Sequence, residues 1–215
     1  MELNKYIEHT LLKQDAKKEE LIKLFDEAIK HKFFGVCVNP VNVKLAKEYL
    51  KNSDVKIVTV IGFPLGQNTT EVKVLETIDA VKNGADEIDM VINDGKLKDQ
   101  EYDYLINEIE EIKTACHGHN LKVIIETDLL TQEEIKKASE ICAKAGADFV
   151  KTSTGFVKNG VGAKVEDVKI MFETVKEFGL GVKASGGVRD KETALKMIEA
   201  GATRIGTSSG VKICQ

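Results

Sequence analysis

The chain has 215 residues, 42% hydrophobic and 31% charged, a balance that suits a globular protein and gives it enough length to bury a substantial core. A formal net charge of −4 excludes the basic field that nucleic-acid binding requires, and no apolar stretch reaches the length of a bilayer-spanning helix. Met1-Glu2-Leu3-Asn4-Lys5 lacks a signal peptide's apolar run, and Cys37, Cys116, Cys142 and Cys214 form no C-x-x-C pair, so a reducing, cytoplasmic setting is expected.

Taken in chain order, one pattern repeats: a short apolar strand, a polar or glycine turn, then a charged amphipathic helix. Strands are predicted over residues 34–38, 56–62, 87–92, 122–127, 149–152, 181–184 and 203–206, with an eighth over 6–10. Runs such as Ile57-Val58-Thr59-Val60-Ile61 and Val123-Ile124-Ile125 suit parallel strands buried on both faces. Helices are predicted over 18–30, 70–82, 100–115, 132–145, 164–178 and 191–200. Gly84, Gly146 and Gly201 each stand between a helix and a strand, where glycine closes a helix in the left-handed conformation. Eight such units fit a closed (β/α)8 barrel with its active-site groups at the carboxyl ends of the strands. The alternative, an open doubly wound sheet, usually shows a G-x-G-x-x-G turn after an early strand, and none is present. No linker divides the chain, so one domain over 1–215 is expected.

The residues that bear chemistry gather at predicted strand ends. Lys151 closes the run Ala147-Asp148-Phe149-Val150, and Lys183 precedes Ala184-Ser185-Gly186-Gly187. Lysine is rarely buried without a partner, and a lysine held near a second cation in low dielectric becomes a usable amine nucleophile. In Glu87-Ile88-Asp89-Met90-Val91-Ile92-Asn93, the period of two puts Glu87, Asp89, Val91 and Asn93 on one face. Asp89, Lys151 and Lys183 would then meet at one barrel mouth and supply an amine, a cation to depress its pKa and a proton carrier. Lys56 and Lys122, at the amino ends of their strands, read as solvated. Glu126, Thr127 and Asp128 read as polar loop residues. Cys37, at a strand end, either faces the pocket or packs as a small hydrophobe. His117 and His119 lie in a polar turn with no further metal ligands beside them.

Ser185-Gly186-Gly187 and Gly206-Thr207-Ser208-Ser209-Gly210 follow the last two strands, where barrels commonly bind phosphate through backbone N–H groups. Thr152-Ser153-Thr154-Gly155 offers the same kind of turn. The residues by themselves leave open a transaldolase-like enzyme, another phosphosugar enzyme and a noncatalytic phosphosugar-binding barrel.

Asp-Phe-Val-Lys-Thr-Ser-Thr-Gly at 148–155 with Val-Lys-Ala-Ser-Gly-Gly-Val-Arg at 182–189 resembles the 2-deoxyribose-5-phosphate aldolase family, and further matching segments run nearly end to end. The resemblance implies a β/α barrel and a class I aldolase without cofactor or metal. Its substrates would be a phosphosugar and acetaldehyde, joined or released reversibly. It places the Schiff-base lysine on Lys151, the second lysine on Lys183 and the proton-relay aspartate on Asp89. It places the phosphate contacts on Gly155, Gly186, Gly187, Gly206, Ser208 and Ser209. Two departures stand out. Glu8 replaces the aspartate of the usual Ile-Asp-His-Thr motif, and the chain ends Lys212-Ile213-Cys214-Gln215 where some members carry a longer tail ending in tyrosine. A homo-oligomer, dimer or tetramer, is expected, with no nucleic-acid or membrane partner.

Overall fold

The β-branched runs form strands, and the strands close on themselves. A computed structural model describes residues 1–215. Its eight parallel strands are β1 (Ile7–Leu11), β2 (Gly35–Val38), β3 (Lys56–Ile61), β4 (Glu87–Val91), β5 (Asn120–Ile124), β6 (Phe149–Lys151), β7 (Gly181–Ser185) and β8 (Arg204–Thr207). They pair in sequence order, and β8 pairs back onto β1, giving the (β/α)8 barrel that the pattern predicts. The surrounding helices are α1 (Lys18–His31), α2 (Val43–Leu50), α3 (Thr70–Asn83), α4 (Asp94–Lys98), α5 (Tyr102–Ala115), α6 (Gln132–Lys144), α7 (Val165–Val175), α8 (Lys191–Glu199) and α9 (Gly210–Ile213). The helices α2, α4 and α9 were not in the predicted set. The predicted helix over 164–178 ends at Val175 and continues as a 3-10 turn to Phe178. Gly84, Gly146 and Gly201 all have positive φ at their helix–strand junctions, as expected.

The period of two sorts the strands' side chains between two environments. Outward residues such as Ile57, Ile61, Ile88, Met90, Val123, Val150 and Val182 pack against the helices in one large apolar cluster. Full burial of each such side chain contributes about 1.5–3 kcal/mol. Only a small apolar cluster, Leu12, Cys37, Val58 and Val60, forms separately. Most of the remaining barrel interior is charged. Register decides which charges meet: Asp89 lies opposite Lys122, and Lys151 opposite Lys183.

α3 reverses the usual pattern of a surface helix. It buries Lys73 and Thr77, while Val72, Leu75 and Ile78 are exposed. The buried ammonium donates to Glu108 Oε1 at 2.9 Å and to the Val91 carbonyl at the end of β4 at 3.0 Å. A cation inside the wall is tolerated because both contacts replace water.

Candidate active site

Asp89 reaches into the barrel from the middle of β4 and is fully buried. Its Oδ2 accepts from Lys151 Nζ at 2.8 Å and from Lys183 Nζ at 2.6 Å, while Oδ1 accepts from Lys122 Nζ at 3.1 Å. Lys183 also donates to Glu8 Oε2, and Lys122 also pairs with Glu87. At the amino end of the barrel the part-exposed Arg204 lies 3.6 Å from Glu8 Oε1 and 3.8 Å from Glu87 Oε1, and its guanidinium stacks 3.6 Å over the Phe34 ring. The three residues picked out as a catalytic group are therefore together.

Two further residues, Lys122 and Glu8, belong to the same network. Lys122 is fully buried, contrary to the solvated position expected. β5 begins at Asn120, so Lys122 is its third residue and points into the barrel. Asn120 Nδ2 donates to Glu87 Oε1 at 2.9 Å, which lets a polar residue start this strand. Lys56, by contrast, is exposed as expected. Glu8 is more than a bystander: it bridges Lys183 and, at 3.6 Å, Lys122.

The charges balance in an informative way. Glu8, Glu87 and Asp89 face Lys122, Lys151, Lys183 and Arg204, so full ionisation would leave one positive charge in excess inside a low-dielectric barrel. Burial is the largest influence on Lys151 and lowers its pKa; Asp89 opposes this and Lys183 adds to it. On Lys183, burial also works against the charge, but Asp89 and Glu8 outweigh it and raise the pKa. Lys122 is raised in the same way, burial being outweighed by Asp89 and Glu8. Burial pushes the Asp89 pKa up, yet Lys122, Lys151 and Lys183 together hold it well below the usual carboxylate range. The group that most easily gives up its proton is thus Lys151, and losing that proton neutralises the interior.

A cavity of about 770 Å³ opens at the carboxyl end of the barrel. Of the interior basic residues, Lys151 alone lines it. Asp89 and Lys183 do not line it; Asp89 accepts from the Lys151 amine, and Lys183 donates to the same Asp89 oxygen. Gly155, Gly186, Gly187, Gly206 and Ser208 line the same cavity, as do Arg189 and Lys13. Ser209 does not; it stands at the start of α9, its N–H donating to Thr207 Oγ1 at 2.9 Å. The N–H groups of Gly186, Gly187 and Ser208 donate to no other protein group. Gly206 has a packing reason as well, since a Cβ there would lie 2.9 Å from Lys183 Cε. Thr152 fastens β6 to β7, donating to the Ser185 carbonyl and accepting from Ser185 N, each at 2.9 Å. Cys37 does not line the cavity; it is fully buried with Val58 and Val60 on the inner face of the barrel, where burial raises its thiol pKa and Lys183 and Lys151 oppose that rise. His117 lies in a turn as read, and His119 Nδ1 is 3.1 Å from the Asp86 carbonyl.

Known proteins match the chain over nearly its whole length. Residues 4–215 match the model of the DeoC/LacD family aldolases. A deoxyribose-phosphate aldolase of Thermococcus gammatolerans is 59% identical, the match covering 100% of this chain and 96% of that one. One from Finegoldia magna is 57% identical over 100% of both chains. Among solved structures, a tetrameric deoxyribose phosphate aldolase from Aeropyrum pernix superposes with a TM-score of 0.90 at 35% identity, over 99% of this chain and 89% of that one. On the family model and on relatives of this identity over its full length, the chain belongs to the DeoC/LacD family of aldolases.

Proposed function

We propose that this protein cleaves 2-deoxy-D-ribose 5-phosphate reversibly to D-glyceraldehyde 3-phosphate and acetaldehyde, through a Schiff base on Lys151. The observation that carries this reading is that Lys151 alone among the interior basic residues lines the mouth cavity, with its pKa lowered chiefly by burial. Relatives that bear the name deoxyribose-phosphate aldolase supply the substrate.

In the open-chain sugar the free amine of Lys151 attacks C1, and loss of water leaves an iminium. The iminium withdraws electrons while the C3 hydroxyl gives up its proton. The C2–C3 bond then breaks, its electron pair becoming the C1–C2 double bond of an enamine. Carbons 3 to 5 leave as glyceraldehyde 3-phosphate. Protonation of C2 and hydrolysis of the iminium release acetaldehyde and restore the amine. Asp89 passes the protons, and Lys183, held protonated by two carboxylates, keeps a fixed positive charge beside the reacting nitrogen. Gly155, Gly186, Gly187, Gly206 and Ser208 take the phosphate, with Arg189 and Lys13 as cations in the same cavity and Ser209 standing outside it. Binding at the phosphate, remote from the bond that breaks, orients the sugar.

The chain works as one domain over residues 1–215, as a homo-oligomer in the cytoplasm. The exposed Val72, Leu75 and Ile78 on α3 support association, and the four cysteines are free thiols. The test of the assignment is Lys151→Leu, assayed by release of glyceraldehyde 3-phosphate. Cleavage should be abolished in a folded protein, and more than trace activity would sink the assignment.

A further inference from the structure

Two carboxylates just past the end of β5 make no ion pair with the interior lysines: Glu126 is buried, and Asp128 is part-buried with 9% of its side chain exposed. Glu126 accepts from the Thr154 N–H at 3.2 Å and from the Thr154 hydroxyl, and the Phe156 N–H in turn donates to Thr154 Oγ1 at 3.0 Å. Asp128 Oδ2 accepts from the Gly162 N–H at 2.7 Å, and Lys164 Nζ lies 3.5 Å from its other oxygen. The β6–α7 connection, residues 154–163, is therefore pinned near both ends by residues of one strand terminus.

The far side of this strap is pressed against the Gly186–Gly187 turn. Ala163 N–H donates to the Gly186 carbonyl at 3.0 Å. A Cβ on Gly162 would fall 2.4 Å from the Gly186 carbonyl carbon, and one on Gly187 would fall 2.4 Å from the Val161 carbonyl oxygen. All three glycines have positive φ. Two backbones thus meet with no side chain between them, and the layer order is Asp128, strap, turn. Because the turn has no room to settle toward the strap independently, the strap's position fixes where the Gly186 and Gly187 N–H groups point.

We infer that Asp128 is a positioning residue for phosphate recognition: by holding Gly162 it sets the Gly186–Gly187 turn, and so selects the phosphorylated sugar over the free one. The inference rests on the reading of that turn as the phosphate site. Glu126 serves as the fixed anchor at the other end of the strap. A displaced donor weakens binding of the phosphate group without touching Lys151, so the effect falls on KM.

The experiment compares steady-state cleavage of 2-deoxyribose 5-phosphate and of unphosphorylated 2-deoxyribose. In Asp128→Ala, KM for the phosphorylated sugar should rise about tenfold, the scale of one lost charge-assisted hydrogen bond. Its kcat, and kcat/KM for the free sugar, should change less than about twofold. Asp128→Asn keeps an acceptor oxygen for Gly162 and should restore KM to within about twofold. Gly162→Ala, which pushes on Gly186 from the strap side, should reproduce the split seen in Asp128→Ala, and it decides the matter if Asp128→Ala does not fold. Equal losses on both sugars, an unchanged KM, or an Asn variant no better than Ala would overturn the inference. Ser208→Asp separates the two failures, since it places a negative charge in the cavity itself. If Ser208→Asp discriminates between the sugars while Asp128→Ala does not, only the role of Asp128 falls. If neither discriminates, the phosphate reading falls and takes the inference with it.

Discussion

Lys151 and Lys183 are the same residue type, on paired positions of neighbouring strands, sharing one carboxylate oxygen, and their pKa values move in opposite directions. The difference is Glu8. It gives Lys183 a second carboxylate, while Lys151 has Asp89 alone and faces the cavity. Removing Lys183 would act on Lys151 in two ways with the same sign. It would take away a cation that lowers the Lys151 pKa, and it would free Asp89 to hold the Lys151 ammonium more firmly. In Lys183→Leu the Lys151 pKa should therefore rise toward its ordinary value of about 10.4. Since the free amine is the reactive form, the acidic limb of the pH–rate profile should shift to higher pH, with a large fall in rate. A limb that does not move would assign the tuning to burial alone. Sequence made Lys151, Lys183 and Asp89 legible because a charge inside an apolar strand is costly and needs a reason. Lys122 was not legible. It lies within the strand and not at its solvated end because β5 starts at Asn120, two residues before the predicted start at 122, an asparagine whose partner, Glu87, lies on another strand.

Among the elements, the strands were the easiest to read. Their β-branched runs are long and their junction glycines recur. The short helix α4 was not seen, because five residues with a glycine inside carry no helical period. That helix holds a strained group. Asp94 is buried with Oδ1 unpartnered, and burial, with Glu126 adding to it, lifts its pKa from 3.8 to about 8. Its folded value lies above the unfolded one, so its stabilising contribution is complete in acid and is lost as pH rises from about 4 to about 8. Asp94→Asn removes the ionisation while keeping the shape. It should raise the thermal midpoint by roughly 10 °C or more near pH 8.5 and by about a degree near pH 4. Melting curves at the two pH values check this, and a gain that does not depend on pH would contradict it. The strap over residues 154–163 was equally hidden, since its order comes from Glu126, Asp128 and Gly186, which are distant in sequence.

At the scale of the molecule, the barrel solves two problems with one alternation. Outward side chains meet the helices, and inward ones build a charge network that sequence reading catches only in part, since its closure spans Glu8 on β1 to Arg204 on β8. The outer surface carries a further sign. α3 buries a lysine and exposes Leu75 at 64%, flanked by Val72 and Ile78, which is the wrong way round for a helix facing only water. Leu75→Glu should lower the solution mass toward that of one chain, as measured by light scattering, while leaving the fold intact. An unchanged mass would place the association surface elsewhere.

Trapping identifies the amine that bonds to substrate. The protein is reduced with borohydride in the presence of acetaldehyde, digested, and its peptides mapped by mass. An ethyl adduct is expected on Lys151, with none on Lys183 or Lys122. An adduct on either of those lysines in place of Lys151, or no adduct at any of them, would contradict the role of Lys151 as that amine.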